Sequence, residues 1–301
     1  MKSVVIGAVE STRITLESLA AAGTPASLLI TLPHTLAANH SDFVDLAPTA
    51  AAAGTPCLRA ADVNADDIIA EVAGIAPDII FVVGWSRLVK APLQALARTG
   101  VIGYHPTLLP LMRGRAALAW TILLDVSTTG GTLFWIDDGV DSGDIAAQRE
   151  FALSGREYLG DLMTMQMDAL RSMLEELVPR LAEGERPARA QHHELATYLA
   201  HRRPEDGLIL WDQPAETIWR QVRAVSRPYP GAFTRVDDGV MKIWRARVAD
   251  HPEWHAQTGQ IFMTVDDCPV VRCGDGRDLV IEELEMVRAK KPIGQKRLGR
   301  P

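Results

Sequence analysis

The sequence is short of several things, and each shortage excludes a class of protein. Only three of its 301 residues are cysteines, Cys57, Cys268 and Cys273. An odd number of thiols without regular ligand spacing fits neither a disulfide framework nor a zinc site, so small buried thiols are expected. No stretch approaches the roughly 18 uncharged apolar residues that cross a bilayer. The apolar run from Val4 to Val9 is cut by Glu10, Arg13 and Glu17, too early for the core of an export signal, so a cytoplasmic protein is expected. Neither sign of charge dominates: 31 Lys and Arg face 38 Asp and Glu, a net charge of −7. Any surface for nucleic acid would therefore have to be local. A glycine-rich phosphate loop is missing as well. After the first β-branched run the chain reads Gly7-Ala8-Val9-Glu10-Ser11-Thr12. The second and third glycines of a dinucleotide fingerprint are absent, and Glu10 would face the pyrophosphate, so neither an NAD site nor a P-loop is read.

What is present is an ordinary globular balance, 47% hydrophobic and 23% charged, over a length that fits two domains. The first half alternates strand and helix signals. Ser3–Ala8, 26–31, Ile79–Val83 and Val101–His105 are apolar or β-branched runs. Helices are predicted after Ser11, which is placed to cap the first, and over Ala65–Ala73 and Ala91–Arg98. Strands apolar on both faces, separated by helices, predict an open and mostly parallel α/β sheet. Ser154 and Glu157 have capping-box spacing, and leucines and methionines then recur at helical spacing from Leu159 to Leu181, with a stop near Gly184. The stretch after Arg186 is polar and reads as a linker. Its three histidines, His192, His193 and His201, lack a regular ligand interval, and no metal is expected. A helix over Pro214–Val225 and short strand-like runs from Met241 to Leu284 predict a small β-barrel domain of OB-like type. The expected organisation is a catalytic domain over 1–188, a linker over 189–204 and a C-terminal barrel over 205–301.

Two stretches carry chemistry. In Gly103-Tyr104-His105-Pro106-Thr107-Leu108-Leu109-Pro110-Leu111-Met112-Arg113-Gly114-Arg115, His105 ends an apolar strand just before a loop. Open α/β sheets bind ligands at that end of their strands. Gly103 and His105 share a face of the strand. In Phe134-Trp135-Ile136-Asp137-Asp138-Gly139-Val140-Asp141-Ser142-Gly143-Asp144, glycines shape a tight acidic loop in which Asp141 could be held inward. The spacing does not suit a calcium loop. A carboxylate beside His105 would orient its imidazole, which is equipment for general acid/base work.

Together, His-Pro-Thr-Leu-Leu-Pro-x-x-Arg-Gly and Asp-Asp-Gly-Val-Asp-Ser-Gly-Asp resemble the folate-dependent formyltransferase family, which includes enzymes acting on methionyl-tRNA and on amino-sugar nucleotides. The stretches Arg203–Trp211 and Arg223–Thr234 are similar to that family's C-terminal domain, so the resemblance covers nearly the whole chain. It implies a Rossmann-like first domain and formyltetrahydrofolate as one-carbon donor. The family's trio of Asn, His and Asp maps to Gly103, His105 and Asp141, so this chain lacks the amide that helps bind the oxyanion. That departure, with Tyr-His-Pro, is similar to the hydrolase domain of formyltetrahydrofolate dehydrogenase. By the same resemblance the pterin would lie between Gly84, Trp85, Ser86, Arg87 and Leu88 on one side and Ile136, Asp137, Asp138 and Gly139 on the other.

The acceptor is expected to be a small-molecule amine, such as an amino-sugar nucleotide, with Arg113 and Arg115 placed to pair with its phosphate or carboxylate. The stretch His34–Leu58, where tRNA-directed relatives carry a basic loop, has no Lys or Arg and includes Asp42 and Asp45. A basic C-terminal tail, with Lys290, Lys291, Lys296, Arg297 and Arg300, leaves tRNA as a less favoured partner. Hydrolysis of the donor and a folate-binding paralogue without turnover are the other readings.

Overall fold

A computed structural model describes residues 1–39, 42–236, 239–287 and 298. The first 200 residues contain β1 (Ser3–Ile6), α1 (Glu10–Ala21), β2 (Leu28–Thr31), α2 (Ala47–Ala52), β3 (Cys57–Arg59), α3 (Asp66–Ile75), β4 (Ile79–Val82) and α4 (Ala91–Gln94). They continue with β5 (Gly100–His105), β6 (Arg113–Gly114), α5 (Ala117–Leu123), β7 (Thr128–Trp135), β8 (Ile145–Ala152), α6 (Leu159–Ala182) and β9 (Tyr198–Leu199). After them come α7 (Ala215–Ala224), β10 (Ala232–Val236), β11 (Gly239–Ala249), β12 (Ile261–Val265), β13 (Cys268–Arg272) and β14 (Asp278–Val287).

The chain divides into two compact units. The first comprises Met1–Ala117, Thr128–Ala152 and Met163–Ala200, and the second comprises Leu118–Ser127, Leu153–Leu162 and the chain from His201 on. The polar stretch 189–200 is thus part of the first unit. It is stitched there by backbone bonds: Arg189 and Ile145 exchange both N–H···O contacts at 2.8 and 2.9 Å, and β9 pairs in parallel with β6.

In the first unit a seven-stranded sheet runs in the order β3-β2-β1-β4-β5-β7-β8. The strands from β3 to β5 are parallel, whereas β7 is antiparallel to both β5 and β8. Alternation along β1 explains the layers. Val5 packs with Ile14, Leu16 and Leu19 of α1 and with Leu170, Leu174 and Leu177 of α6 on one face. Val4 and Ile6 point the other way, onto Ile68 and Val72 of α3 and Leu93 of α4. The methionine-rich helix is core, as its spacing predicts, with Met173 only 1% exposed.

Three local readings are corrected. Ser11 lies inside α1, whose N-cap is Val9, and the first turn is tied down because the Thr12 hydroxyl donates to the Val83 carbonyl at 2.6 Å. Glu157 accepts from the amides of Ser154, Gly155 and Arg156 before the helix, and the start of α6 is closed instead by Asp161, which accepts from the Tyr158 amide at 2.9 Å. The helix expected over Ala91–Arg98 ends at Gln94, because the amides of Arg98 and Thr99 bond to the Pro77 and Asp78 carbonyls and turn the chain into β5.

The second unit carries a five-stranded antiparallel sheet in the order β10-β11-β14-β13-β12, where a barrel is expected. No pair joins β10 to β12 among the described residues. Its loops are held by a buried ion pair. Asp278 is fully buried and lies 2.7 Å from Arg272, and it also accepts from the backbone and ring of His251. The basic tail residues Lys290, Lys291, Lys296, Arg297 and Arg300 lie outside the described residues. Among the described residues no helix is long and apolar enough to cross a membrane.

Candidate active site

β5 delivers His105 to the end of the sheet, with its side chain 7% exposed. Its Nε2 lies 2.7 Å from the Met112 carbonyl, which can only accept, so Nε2 donates. Nδ1 faces Asp141 Oδ2 at 3.5 Å. The two stretches singled out by sequence are therefore brought together. Asp141 is further fixed by the Gly114 amide, which donates to Oδ2 at 2.7 Å. Its backbone is left-handed, with φ +49°, a conformation that a non-glycine residue keeps only where its surroundings hold it.

The loop that begins after His105 is pinned from below. Thr132, opposite His105 on β7, donates its hydroxyl to the Thr107 carbonyl at 2.6 Å and accepts from the Leu109 amide at 3.2 Å. Gln148 donates to both the Leu109 carbonyl and the Thr132 hydroxyl at 2.9 Å. On the other face of β5, the Tyr104 hydroxyl donates to Gln166 Oε1 at 2.6 Å, and burial pushes that phenol above its ordinary range. The amide nitrogen of Gln166, a residue of α6, donates to the carbonyls of Pro106 at 3.1 Å and Gly130 at 2.9 Å.

Gly103 occupies the position where the resemblance calls for an amide, and there is little room for one. A Cβ there would stand 3.0 Å from the Phe134 ring and 3.2 Å from Ile136. Phe134 is its cross-strand partner and covers the space that a side chain would take.

The two expected pterin loops abut one apolar wall, since Trp85 and Ile136 both pack on the cluster formed by β1, β2, β4 and α3. Gly84 has φ +73°, and a Cβ there would run into Val9, Ser11 and Thr12. Ser86, Arg87 and Leu88 are exposed, and Arg87 is bonded to the Ala61 carbonyl. Asp137 closes its own turn, accepting from the Gly139 amide at 3.1 Å and the Ser142 hydroxyl at 2.6 Å, while Asp138 and Gly139 face solvent.

The two arginines part company. Arg115 is exposed and donates to the Ser86 carbonyl at 3.0 Å. Arg113 is 2% exposed, and its guanidinium donates to Gln191 Oε1 at 2.6 Å, Tyr198 Oη at 3.2 Å and His193 Nδ1 at 3.1 Å. This corrects its expected role, because a side chain buried in those contacts is not presented to an acceptor. Sequence reasoning also missed Gln191, Thr197 and Tyr198. They fall in a polar, irregular stretch whose partners are 48 to 85 residues away, and no periodicity marks such contacts. Among the described residues no cluster of three or more His, Cys, Asp or Glu is arranged to hold a metal.

Two family models match the chain, "Formyl transferase" over residues 4–176 and "Formyl transferase, C-terminal domain" over residues 202–298. A methionyl-tRNA formyltransferase of Citrifermentans bemidjiense is 33% identical over 242 residues, covering 80% of this chain and 74% of the relative. The solved structure of WlaRD, a sugar 3N-formyl transferase in the presence of dTDP and 5-N-formyl-THF, superposes with a TM-score of 0.66 at 15% identity, over 96% of this chain and 99% of that one. HypX from Aquifex aeolicus, in complex with tetrahydrofolic acid, superposes with a TM-score of 0.66 at 16% identity, over 93% of this chain. The match spans only 43% of HypX. At these identities the two solved structures bear on the fold alone.

Proposed function

The chain belongs to the formyltransferase family, and from that premise we propose that it moves the formyl group of formyltetrahydrofolate onto a small-molecule amine such as an amino-sugar nucleotide. The observation that carries the reading is the His105–Asp141 couple at the end of β5, beside an apolar wall shared by two loops. A flat pterin with donors and acceptors on its edge suits such a wall flanked by backbone groups. The acceptor nitrogen attacks the formyl carbon, the carbon–N10 bond breaks, and the proton lost by the amine goes to N10. In this reading Asp141 flanks His105, and the Nε2–H of His105 turns from the Met112 carbonyl to the developing oxyanion and helps move that proton.

A small acceptor is favoured by charge. The stretch 34–58 has no Lys or Arg, and Arg59 just beyond it is already bound to Asp45 at 3.0 Å. Arg115 is exposed and follows Gly114, whose amide holds Asp141, and it is suited to an acceptor phosphate or carboxylate. The identity to a methionyl-tRNA enzyme keeps charged tRNA as a required arm of the test.

Gly103 favours a second reading, hydrolysis, in which water is the acceptor and the amide is dispensable. Incubation with formyltetrahydrofolate, with and without amino sugars, amino acids and charged tRNA, separates the readings by tetrahydrofolate release. Release only with an amine supports transfer, and release in water alone supports hydrolysis. No release with any acceptor or with water sinks both. Gly103→Asn alone is expected to lower stability by about 1–3 kcal/mol through overpacking on Phe134. Gly103→Asn with Phe134→Ala makes room for the amide. Under the transfer reading the pair raises amine-dependent turnover above that of Phe134→Ala, toward the ~10²–10³-fold that one oxyanion donor supplies. An unchanged rate would show that the amide does not reach the reacting centre.

A further inference from the structure

We infer that Gln191, oriented by the buried Arg113, is the positioning residue that sets Asp141 against His105. The inference rests on the proposed one-carbon transfer for its kinetic test only. Asp141 sits in a left-handed conformation within a loop whose residues 137–140 are exposed. One side-chain amide ties that loop down from outside it. Gln191 Nε2 donates to the Asp141 carbonyl at 2.9 Å and to the Gly143 carbonyl at 2.7 Å. Gln191 is itself 5% exposed.

Arg113 fixes which way the amide faces. A guanidinium can only donate, so Gln191 Oε1 must turn toward it, which leaves the NH2 group for the two carbonyls. The flipped amide would set donor against donor and oxygen against two oxygens. The other partners of Arg113, a phenol and an imidazole, carry no counter-charge for it. Both residues are held by the segment that follows Ala188. The Thr197 hydroxyl and carbonyl accept from the Met112 and Arg113 amides at 2.8 and 2.9 Å, and Met112 is the residue whose carbonyl receives His105. Residues 189–199 therefore hold both partners of the couple in register.

Gln191→Glu separates positioning from packing. It preserves an acceptor for Arg113 and adds a counter-charge, but it replaces the NH2 donor with an oxygen facing two carbonyls. The thermal midpoint is expected to stay close to that of wild type, because the counter-charge gained by Arg113 offsets the two carbonyls left without a donor. Turnover is expected to fall about 10–100-fold, as for a misplaced reacting group. The pH–rate profile should take the shape seen in Asp141→Asn, and Gln191→Glu combined with Asp141→Asn should lose little beyond Asp141→Asn alone. Hydrogen–deuterium exchange of the protein without substrate gives a readout independent of activity. Exchange should rise over residues 138–145 and stay unchanged over residues 128–133. Gln191→Met, which removes the donor without adding charge, should raise exchange over the same residues and serves if the Glu variant does not fold. Wild-type turnover in a folded variant, or full additivity with Asp141→Asn, overturns the inference, as does unchanged exchange over 138–145. If wild type itself transfers nothing, the proposed function fails and exchange alone decides this point.

Discussion

The loop after His105 and the loop that carries Asp141 are each fastened by a buried glutamine, and the two fastenings differ in what stands behind them. Gln166 lies on a long helix, accepts from a neutral phenol and donates to Pro106 and Gly130. Gln191 lies on an irregular segment, accepts from an arginine and donates to Asp141 and Gly143. On the histidine side Thr132 and Gln148 repeat the job, so the loop has several independent ties. On the aspartate side, one amide holds the two loop carbonyls. The histidine is thus carried by a strand of the sheet, whereas the aspartate is held by the Gly114 amide at its carboxylate and by the overlying segment at its backbone. A perturbation of the first should cost stability, and a perturbation of the second should cost turnover.

The largest expected effect comes from removing the group both loops serve. His105→Ala should reduce one-carbon transfer by the upper end of the ~10²–10⁴-fold range for a lost acid/base group, with an unchanged circular dichroism spectrum. Near-wild-type turnover from a folded variant would end the mechanism. Asp141→Asn keeps the loop shape and removes the charge, with an expected loss of about 10²-fold in turnover. If its pH–rate profile matched that of wild type, the two side chains would not be coupled.

Gln166→Leu tests the opposite side. It strands the Pro106 and Gly130 carbonyls and leaves the Tyr104 hydroxyl only the main-chain carbonyl of residue 166, so denaturant unfolding should show a loss of about 1–3 kcal/mol. A turnover loss without a stability loss would erase the distinction between the two glutamines. The smallest effect is expected for Tyr104→Phe, which removes one hydrogen bond worth about 1 kcal/mol. Because burial raises the Tyr104 phenol in the folded state, the unfolded chain ionises first above about pH 10. Wild-type stability should then fall as pH rises past that point, and Tyr104→Phe should make the fall shallower. Equal slopes in alkaline urea titrations would refute the burial argument.

Much of this was legible in the sequence where signals are local. Doubly apolar runs marked β1, β2, β4 and β5, and the place of His105 at a strand end followed from them. The pairing of His105 with Asp141 was legible only because two motifs were read together. The strand β8, with alternating polar residues such as Gln148 and Glu150, gave no apolar run. The role of Arg113 was misread because a buried arginine and a surface arginine look alike until their partners are known. Gln191 was invisible for the same reason: a polar residue in a polar stretch is buried only by chain that lies far away in sequence. Gly103 was recognised as a departure, but Phe134 as the side chain filling its place required the register of β5 on β7.

The pairing of β9 with β6 also fixes an order of events during synthesis. All seven strands of the large sheet are present once Ala152 has been made, whereas Gln191 and Thr197 emerge later, after the whole of α6. At roughly 5–20 residues per second, some seconds separate the synthesis of the last sheet strand from that of Gln191 and Thr197, and until then the loop of Asp141 lacks its Gln191 tie. Competence for chemistry is therefore the final event in the maturation of this unit, and it waits on contacts that span 48 to 85 residues. A chain released before residue 199 would keep its sheet strands and lack a finished site.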